Sequence, residues 1–290
     1  MAAKTKDLVM ISVERPQRHG ADVYRKAPVH KNGAKSKRMR KLRKRRRRVR
    51  ALCICVVVLL AVCYQTNWFT SFPTIGRSGR VRQLKNSGDY PEELIELAEQ
   101  NEETFDFVKG YEKREKYEGK EINLAGDYKA GSVPLLMQWD KRWGYDKYGD
   151  AMIGLSGCGP TCMAMAYLYY TGDLTMNPRT IAQYAQENGY HTEEGTSWSF
   201  WTDGAAGLGL QGQQVALSEN VMKSVLDAGG VLVCSMAPGD FTTKGHYILL
   251  RGYDENGFFV NDPNRRSNSE KQWDYETLSG QIKNLWSLYD

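Results

Sequence analysis

Cysteine is scarce in this chain and poorly placed for cross-linking. Of six in 290 residues, Cys53, Cys55 and Cys63 fall within one apolar run, leaving Cys158, Cys162 and Cys234 for the rest of the protein. Three is an odd number, too small for a disulfide framework, so the fold must rest on a hydrophobic core and at least one thiol stays free. Histidine is scarcer still: His19, His30, His191 and His246. No grouping of His, Cys, Asp and Glu has metal-ligand spacing, no Gly-rich phosphate loop occurs and no segment repeats, so no metal and no cofactor is expected.

Acidic residues are lacking at one end only. Residues 1–50 carry 19 Lys/Arg against 3 Asp/Glu, a net of +16, which leaves −10 for the remainder of a chain whose total is +6. The basic character belongs to a tail, and nucleic-acid binding by the acidic folded part is disfavoured. Residues 1–34 are polar, contain Pro16 and Pro28, and read as disordered. Residues 35–50 form a dense basic run, and residues 51–64 an uninterrupted apolar one. A membrane span needs about 20 residues, a length reached by counting Val49 and the amphipathic Trp68-Phe69.

These features predict a disordered basic cytoplasmic tail over 1–48 and a transmembrane signal-anchor over 49–69, with everything beyond it outside the cytoplasm by the positive-inside rule. A cleaved secretory signal is the competing reading, but the n-region is far too long and no Ala-x-Ala site follows Cys63. A lipoprotein reading of Leu60-Ala61-Val62-Cys63 suffers from the size of Val62. The basic run sets topology and can also contact anionic lipid.

Residues 70–130 read as a stem holding one helix, about 90–116. Pro91 stands at its start, Glu92 and Glu93 fill the first turn, and Leu94, Leu97, Ala98, Phe105 and Val108 recur at helical spacing. From about 131 to 290 the composition is that of a compact domain. Its expected elements are an extended segment 133–138, a loop 139–155, helices over 158–171, 177–188, 195–207 and 218–227, strands over 231–236, 245–253 and 258–262, and mixed strand and helix over 272–288. Helices first and antiparallel strands second make an α+β pattern.

The stretch Gly157-Cys158-Gly159-Pro160-Thr161 holds the best candidate nucleophile. Pro160 suits the first turn of a helix, so Cys158 sits at a helix start, where unpaired N–H groups and the helix dipole favour a thiolate. The flanking glycines let another backbone approach. A buried structural cysteine is the alternative, and that reading fits Cys162 and Cys234 better. His246 opens an apolar strand and is the best candidate base, against a core histidine satisfied by backbone. Asp262, before the strand-ending Pro263, can orient it if both share one face of the hairpin. That requires an odd loop, and a five-residue loop over 253–257 would set Asp262 opposite Ile248. Gln138 can supply a donor to a developing oxyanion, or be an ordinary solvent-facing glutamine.

The ordered set Pro134-Leu135-Leu136-Met137-Gln138-Trp139-Asp140, Gly157-Cys158-Gly159-Pro160-Thr161, Gly245-His246-Tyr247-Ile248 and Asn261-Asp262-Pro263 resembles the bacteriocin-processing, double-glycine peptidase-like family of papain-like cysteine peptidases, over roughly residues 130–290. The resemblance implies a papain-like fold, Cys158 as nucleophile, His246 as base, Asp262 as orienter and Gln138 as oxyanion donor. It implies a peptide or protein substrate. The transporter-linked members act at the cytoplasmic face, whereas this domain is expected outside, so their double-glycine substrate does not carry over. An amidase or acyl transferase acting on cell-wall peptides, and a catalytically silent binding module, are the alternatives.

Overall fold

The computed structural model describes residues 33–65, 77–193 and 195–290. It divides into two compact units, Met1–Thr74 and Ile75–Asp290.

In the first unit a single helix runs over Gly33–Gln65. It begins inside the segment expected to be disordered. Beyond Gly33, residues 34–48 are mostly Lys and Arg with Ala, Ser, Met and Leu, mostly strong helix formers, and no proline interrupts them. The basic run is therefore helical and continuous with the apolar one. Residues 1–32 and 66–69 of the expected tail and span lie outside the described residues, as do His19, His30 and the Trp68-Phe69 pair. Among the described residues no helix is long and apolar enough to cross a membrane.

The second unit opens with more than the single helix expected of a stem. Helices Arg77–Ser87, Glu92–Gln100 and Phe105–Lys109 are joined by short tight turns and share a small core of Val81, Leu84, Leu94, Ile95, Ala98, Phe107 and Val108. Tyr145, from beyond the expected domain boundary, completes that core, and Trp139, Met152 and Leu155 pack on it. Phe107 stacks on Tyr145 with centroids 4.5 Å apart, and Tyr145 donates to the Phe107 carbonyl at 2.7 Å. A Cβ at Gly144 or Gly154 would meet the Phe107 ring at 2.6 or 2.5 Å, so both positions must stay bare. The segment is thus packed onto the following domain.

The helices of that domain form largely where expected. Cys158–Thr171 is a helix, and Pro178–Glu187 is capped by Asn177, whose side chain accepts from the Arg179 and Thr180 N–H groups. Glu219–Asp227 is capped by Ser218. The 195–207 stretch is instead a two-residue strand Gly195–Thr196, a tight turn Trp198–Trp201 and a short helix Asp203–Gly207. Residues 133–138 form no strand. They are held by the Asn261 amide, which donates to the Pro134 carbonyl, and by the Gln138 N–H, which donates to the Pro263 carbonyl.

Six antiparallel strands form one sheet in the spatial order Gln211–Gln214, Ile282–Tyr289, Val231–Met236, His246–Asp254, Gly257–Asn261 and Gln272–Trp273. The sheet is covered on both sides. Val233, Tyr247 and Leu249 pack with the Cys158 helix in one core, while Leu232, Cys234, Ile248 and Leu250 pack in another with Met222 and Trp273. Every residue of Val231–Met236 is therefore buried and the strand reads as an unbroken apolar run. The architecture is α+β, as expected.

Candidate active site

Cys158 is the first residue of its helix, with Gly157 at the cap position. A Cβ on Gly157 would meet the Ile153 carbonyl at 2.6 Å, and one on Gly159 would meet Thr196 Oγ1 at 2.3 Å. The two glycines thus let the chain before the helix and the Thr196 strand close in on either side of the thiol. Thr196 is pinned in turn, since its hydroxyl lies 2.8 Å from the Tyr148 hydroxyl and its carbonyl accepts from Tyr247 Oη at 2.9 Å. Cys158 is half-buried. Cys162, one turn on, is fully buried, with Sγ 3.5 Å from the Tyr247 carbonyl, and burial pushes its thiol well above the ordinary range. It is a core thiol, as is Cys234.

His246 begins its strand and is buried. Its Nε2 lies 2.8 Å from Asp262 Oδ1, which leaves Nδ1 as the other ring nitrogen. Asp262 and Cys158 are the charged or titratable groups that act on the imidazole. Burial alone would lower its pKa, but the Asp262 carboxylate outweighs burial and, with a smaller contribution from Cys158, raises it to about 10. Asp262 is fully buried. Burial works against its charge, but His246 and a set of hydrogen bonds hold its carboxyl below the ordinary range.

That set is complete. Oδ1 accepts from the Asn264 and Arg265 N–H groups at 2.8 and 3.1 Å, and Oδ2 accepts from Asn268 Nδ2 at 2.7 Å. The Asp262 N–H donates to Ser269 Oγ at 2.8 Å. Asn268 and Ser269 escaped the sequence reading, and the polar stretch 264–269 carries no periodicity that could have flagged them.

The hairpin brings His246 and Asp262 to one face by a different route from the one expected. The turn is only two residues, Glu255 and Asn256, between paired Asp254 and Gly257. An even turn alone would separate the pair. The register shifts between Leu250 and Gly252, so Arg251 is an extra, bulged residue, and beyond it Leu249 pairs with Asn261. Continued one step, that register sets Asp262 opposite Ile248, as the five-residue loop would have done. Gly257 has φ +130, and a Cβ there would strike the Trp273 carbonyl at 2.5 Å.

Gln138 is buried, not solvent-facing. Its Nε2 donates to the Gly154 carbonyl at 3.0 Å and makes a longer 3.4 Å contact with that of Leu155, in the short helix leading to Cys158. Its Oε1 is buried without a partner. His191 sits edge-on to Tyr148 with ring centroids 4.6 Å apart. Among the described residues no cluster of His, Cys, Asp and Glu could hold a metal ion.

The peptidase domain of the Streptococcus ComA, described as a bifunctional ABC transporter involved in a quorum-sensing pathway, is similar at 17% identity with a TM-score of 0.35, over 46% of this chain and 90% of that one. A C39-like peptidase from Bacillus anthracis is similar at 16% identity with a TM-score of 0.34, over 55% of this chain and 96% of that one. No curated protein matches the chain. The model of the Peptidase_C39 like family matches residues 131–289, more than half of the sequence and the whole of the region that carries Gln138, Cys158, His246 and Asp262, and the chain belongs to this family of cysteine peptidases.

Proposed function

We propose that the protein hydrolyses a peptide or amide bond through a thioester formed on Cys158. The sulfur attacks the carbonyl carbon with the proton held on His246 Nδ1. The tetrahedral adduct collapses, His246 returns the proton to the leaving nitrogen, and Cys158 is left acylated. A water then attacks the thioester carbonyl and gives its proton to His246, and the acid and the free thiol are released. Asp262 holds the imidazole by Nε2 and balances the imidazolium that forms twice per cycle. The developing oxyanion is met by the Cys158 backbone N–H and by the second N–H of Gln138, which is engaged only by the long contact to Leu155.

The observation that carries this reading is the buried Asp262–His246 bond together with a half-buried thiol at a helix start whose sulfur is among the groups acting on the imidazole. The test is cleavage of a mixed peptide library by the full chain, followed by mass spectrometry. Fragments should form with the wild type and vanish with Cys158→Ala and with His246→Ala. Equal turnover by Cys158→Ala would overturn it.

The same reading includes a membrane anchor over 49–69, with the catalytic unit outside and a peptide or protein substrate there. It is supported by the +16 charge of residues 1–50 directly before the apolar run, and by the exposure of Leu52 and Ile54 on that helix. The basic helix then also meets anionic lipid. Protease added to intact cells should remove residues beyond about 70 and spare the basic tail, a topology that follows from the positive-inside rule. Survival of residues 133–290 in intact cells would exclude this topology.

A further inference from the structure

The region matched by the family model begins at residue 131, yet the loop that presents Asp262 is held from outside that region. Asn101 is buried, and its Nδ2 donates to the Asn264 carbonyl at 2.5 Å, the same oxygen that accepts from Trp139 Nε1 at 2.8 Å. Its Oδ1 accepts the Glu103 N–H at 3.1 Å, which fixes the start of the turn that carries Glu103. The Glu103 carboxylate then accepts two successive backbone N–H groups, Arg266 at 2.6 Å and Ser267 at 3.0 Å. Arg265 closes the contact by donating to the Gln100 carbonyl at 3.0 Å. Immediately beyond this doubly held point come Asn268 and Ser269, the residues that bond the Asp262 carboxylate and its N–H.

We propose that Glu103, seated by Asn101, is a positioning residue for the peptidase site: by gripping the backbone at Arg266 and Ser267 it fixes Asn268 and Ser269 against Asp262, and so fixes the His246 ring. The inference rests on the Cys158–His246–Asp262 reading given above. The physical reason is that residues 264–269 are a short polar stretch with little apolar burial of their own. A carboxylate accepting two backbone N–H groups replaces the packing that the stretch lacks. The three-helix segment is therefore a working part of the site although it lies outside the matched region.

The test uses the full chain and iodoacetamide, with alkylation of Cys158 followed by peptide mass spectrometry so that the other thiols do not interfere. In mild acid the imidazole bonded to Asp262 carries a proton beside the Cys158 sulfur, so the rate at pH 6 relative to pH 9 reports on the ring. Glu103→Ala should lower that ratio about tenfold, the equivalent of one pKa unit at the imidazole. Glu103→Gln keeps one acceptor oxygen and should lower it less. Lys85→Ala, which removes the 2.7 Å Lys85–Glu99 ion pair elsewhere in the segment, should leave it unchanged.

Asp262→Ala separates the two readings. If it lowers the ratio while both Glu103 variants, folded by circular dichroism, keep the wild-type value, the positioning role is wrong and the triad stands. If Asp262→Ala itself leaves the ratio unchanged, the triad reading fails. If Glu103→Ala does not fold, the Glu103→Gln ratio decides: a fall supports the role, and a wild-type value overturns it.

Discussion

Asp262 Oδ1 lies 2.8 Å from His246 Nε2 while Asp262 Oδ2 is taken by Asn268 Nδ2 at 2.7 Å, so neither oxygen can turn away without breaking a bond. The carboxylate is an acceptor on both sides. Asp262→Asn can keep its oxygen toward His246 only if Asn268 turns its own amide to offer an oxygen in return. We expect the variant to fold and to keep part of the activity. Asp262→Ala leaves a buried imidazole unpaired and should cost about 3–5 kcal/mol of stability and nearly all turnover. Urea denaturation and peptide cleavage on the two variants check this, and equal behaviour of the two would contradict it.

The same pair sets a pH dependence of stability. His246 is raised from 6.5 to about 10, so its contribution is full below 6.5 and is lost as pH rises through about 10. Asp262 is lowered from 3.8, so its contribution is present above 3.8 and lost as pH falls through its depressed value. Melting temperature of the wild type relative to Asp262→Asn should therefore be most favourable between about pH 4 and 6.5 and should decline toward pH 10. Parallel curves over pH 6–10 would mean that the pair does not titrate in this way.

The two cysteines of the helix should separate cleanly. Cys158→Ala should abolish cleavage and change stability by less than about 0.5 kcal/mol, as expected for a site that is not core. Cys162→Ala should retain cleavage and lose roughly 1 kcal/mol, because its sulfur fills space within the core. At pH 7 iodoacetamide should label Cys158 and leave Cys162, whose thiol burial raises. Labelling of Cys162 first would reverse the assignment.

Gly157 and Gly159 should differ in whether they can be rescued. Gly159→Ala meets the Thr196 side chain, so it should cost about 1–3 kcal/mol and be partly restored by Thr196→Gly. Gly157→Ala meets backbone atoms of Ile153, which no second substitution removes. Chemical denaturation of the single and double variants measures both. Rescue of Gly157→Ala by Ile153→Ala alone would show that side-chain crowding at Ile153 was the obstacle.

Much of this site can be read from local rules. Pro160 after Cys158, Asn177 before Pro178 and Ser218 before Glu219 mark helix starts through geometry confined to one turn, and all three helices form there. The strand at 231–236 is legible because both its faces are buried. The strand Gln211–Gln214 is not, since its four polar or glycine residues form an edge paired only to Ile282–Tyr289, and nothing in them alternates. The bulge at Arg251 is invisible for a related reason: a register is a property of two strands, and one strand's sequence does not state it. Asn101 and Glu103 act on backbone groups 163 and 164 positions away, and Asn268 and Ser269 meet Asp262 across an irregular turn, so none of the four follows a local pattern.

The bulge at Arg251 also constrains how this chain can change length. Within either strand between His246 and Asp262 a single-residue insertion or deletion exchanges the faces of everything on one side of it unless the ladder absorbs it as a bulge. Arg251 is one such insertion, absorbed by the ladder. A change of strand length is therefore compatible with the His246–Asp262 contact only in steps of two or as the gain or loss of a bulge, whereas a residue added to the turn leaves the pairing as it is. Related chains that keep the contact should differ within the two strands by even numbers unless a bulge appears or disappears with the odd residue, and should vary freely only in the turn.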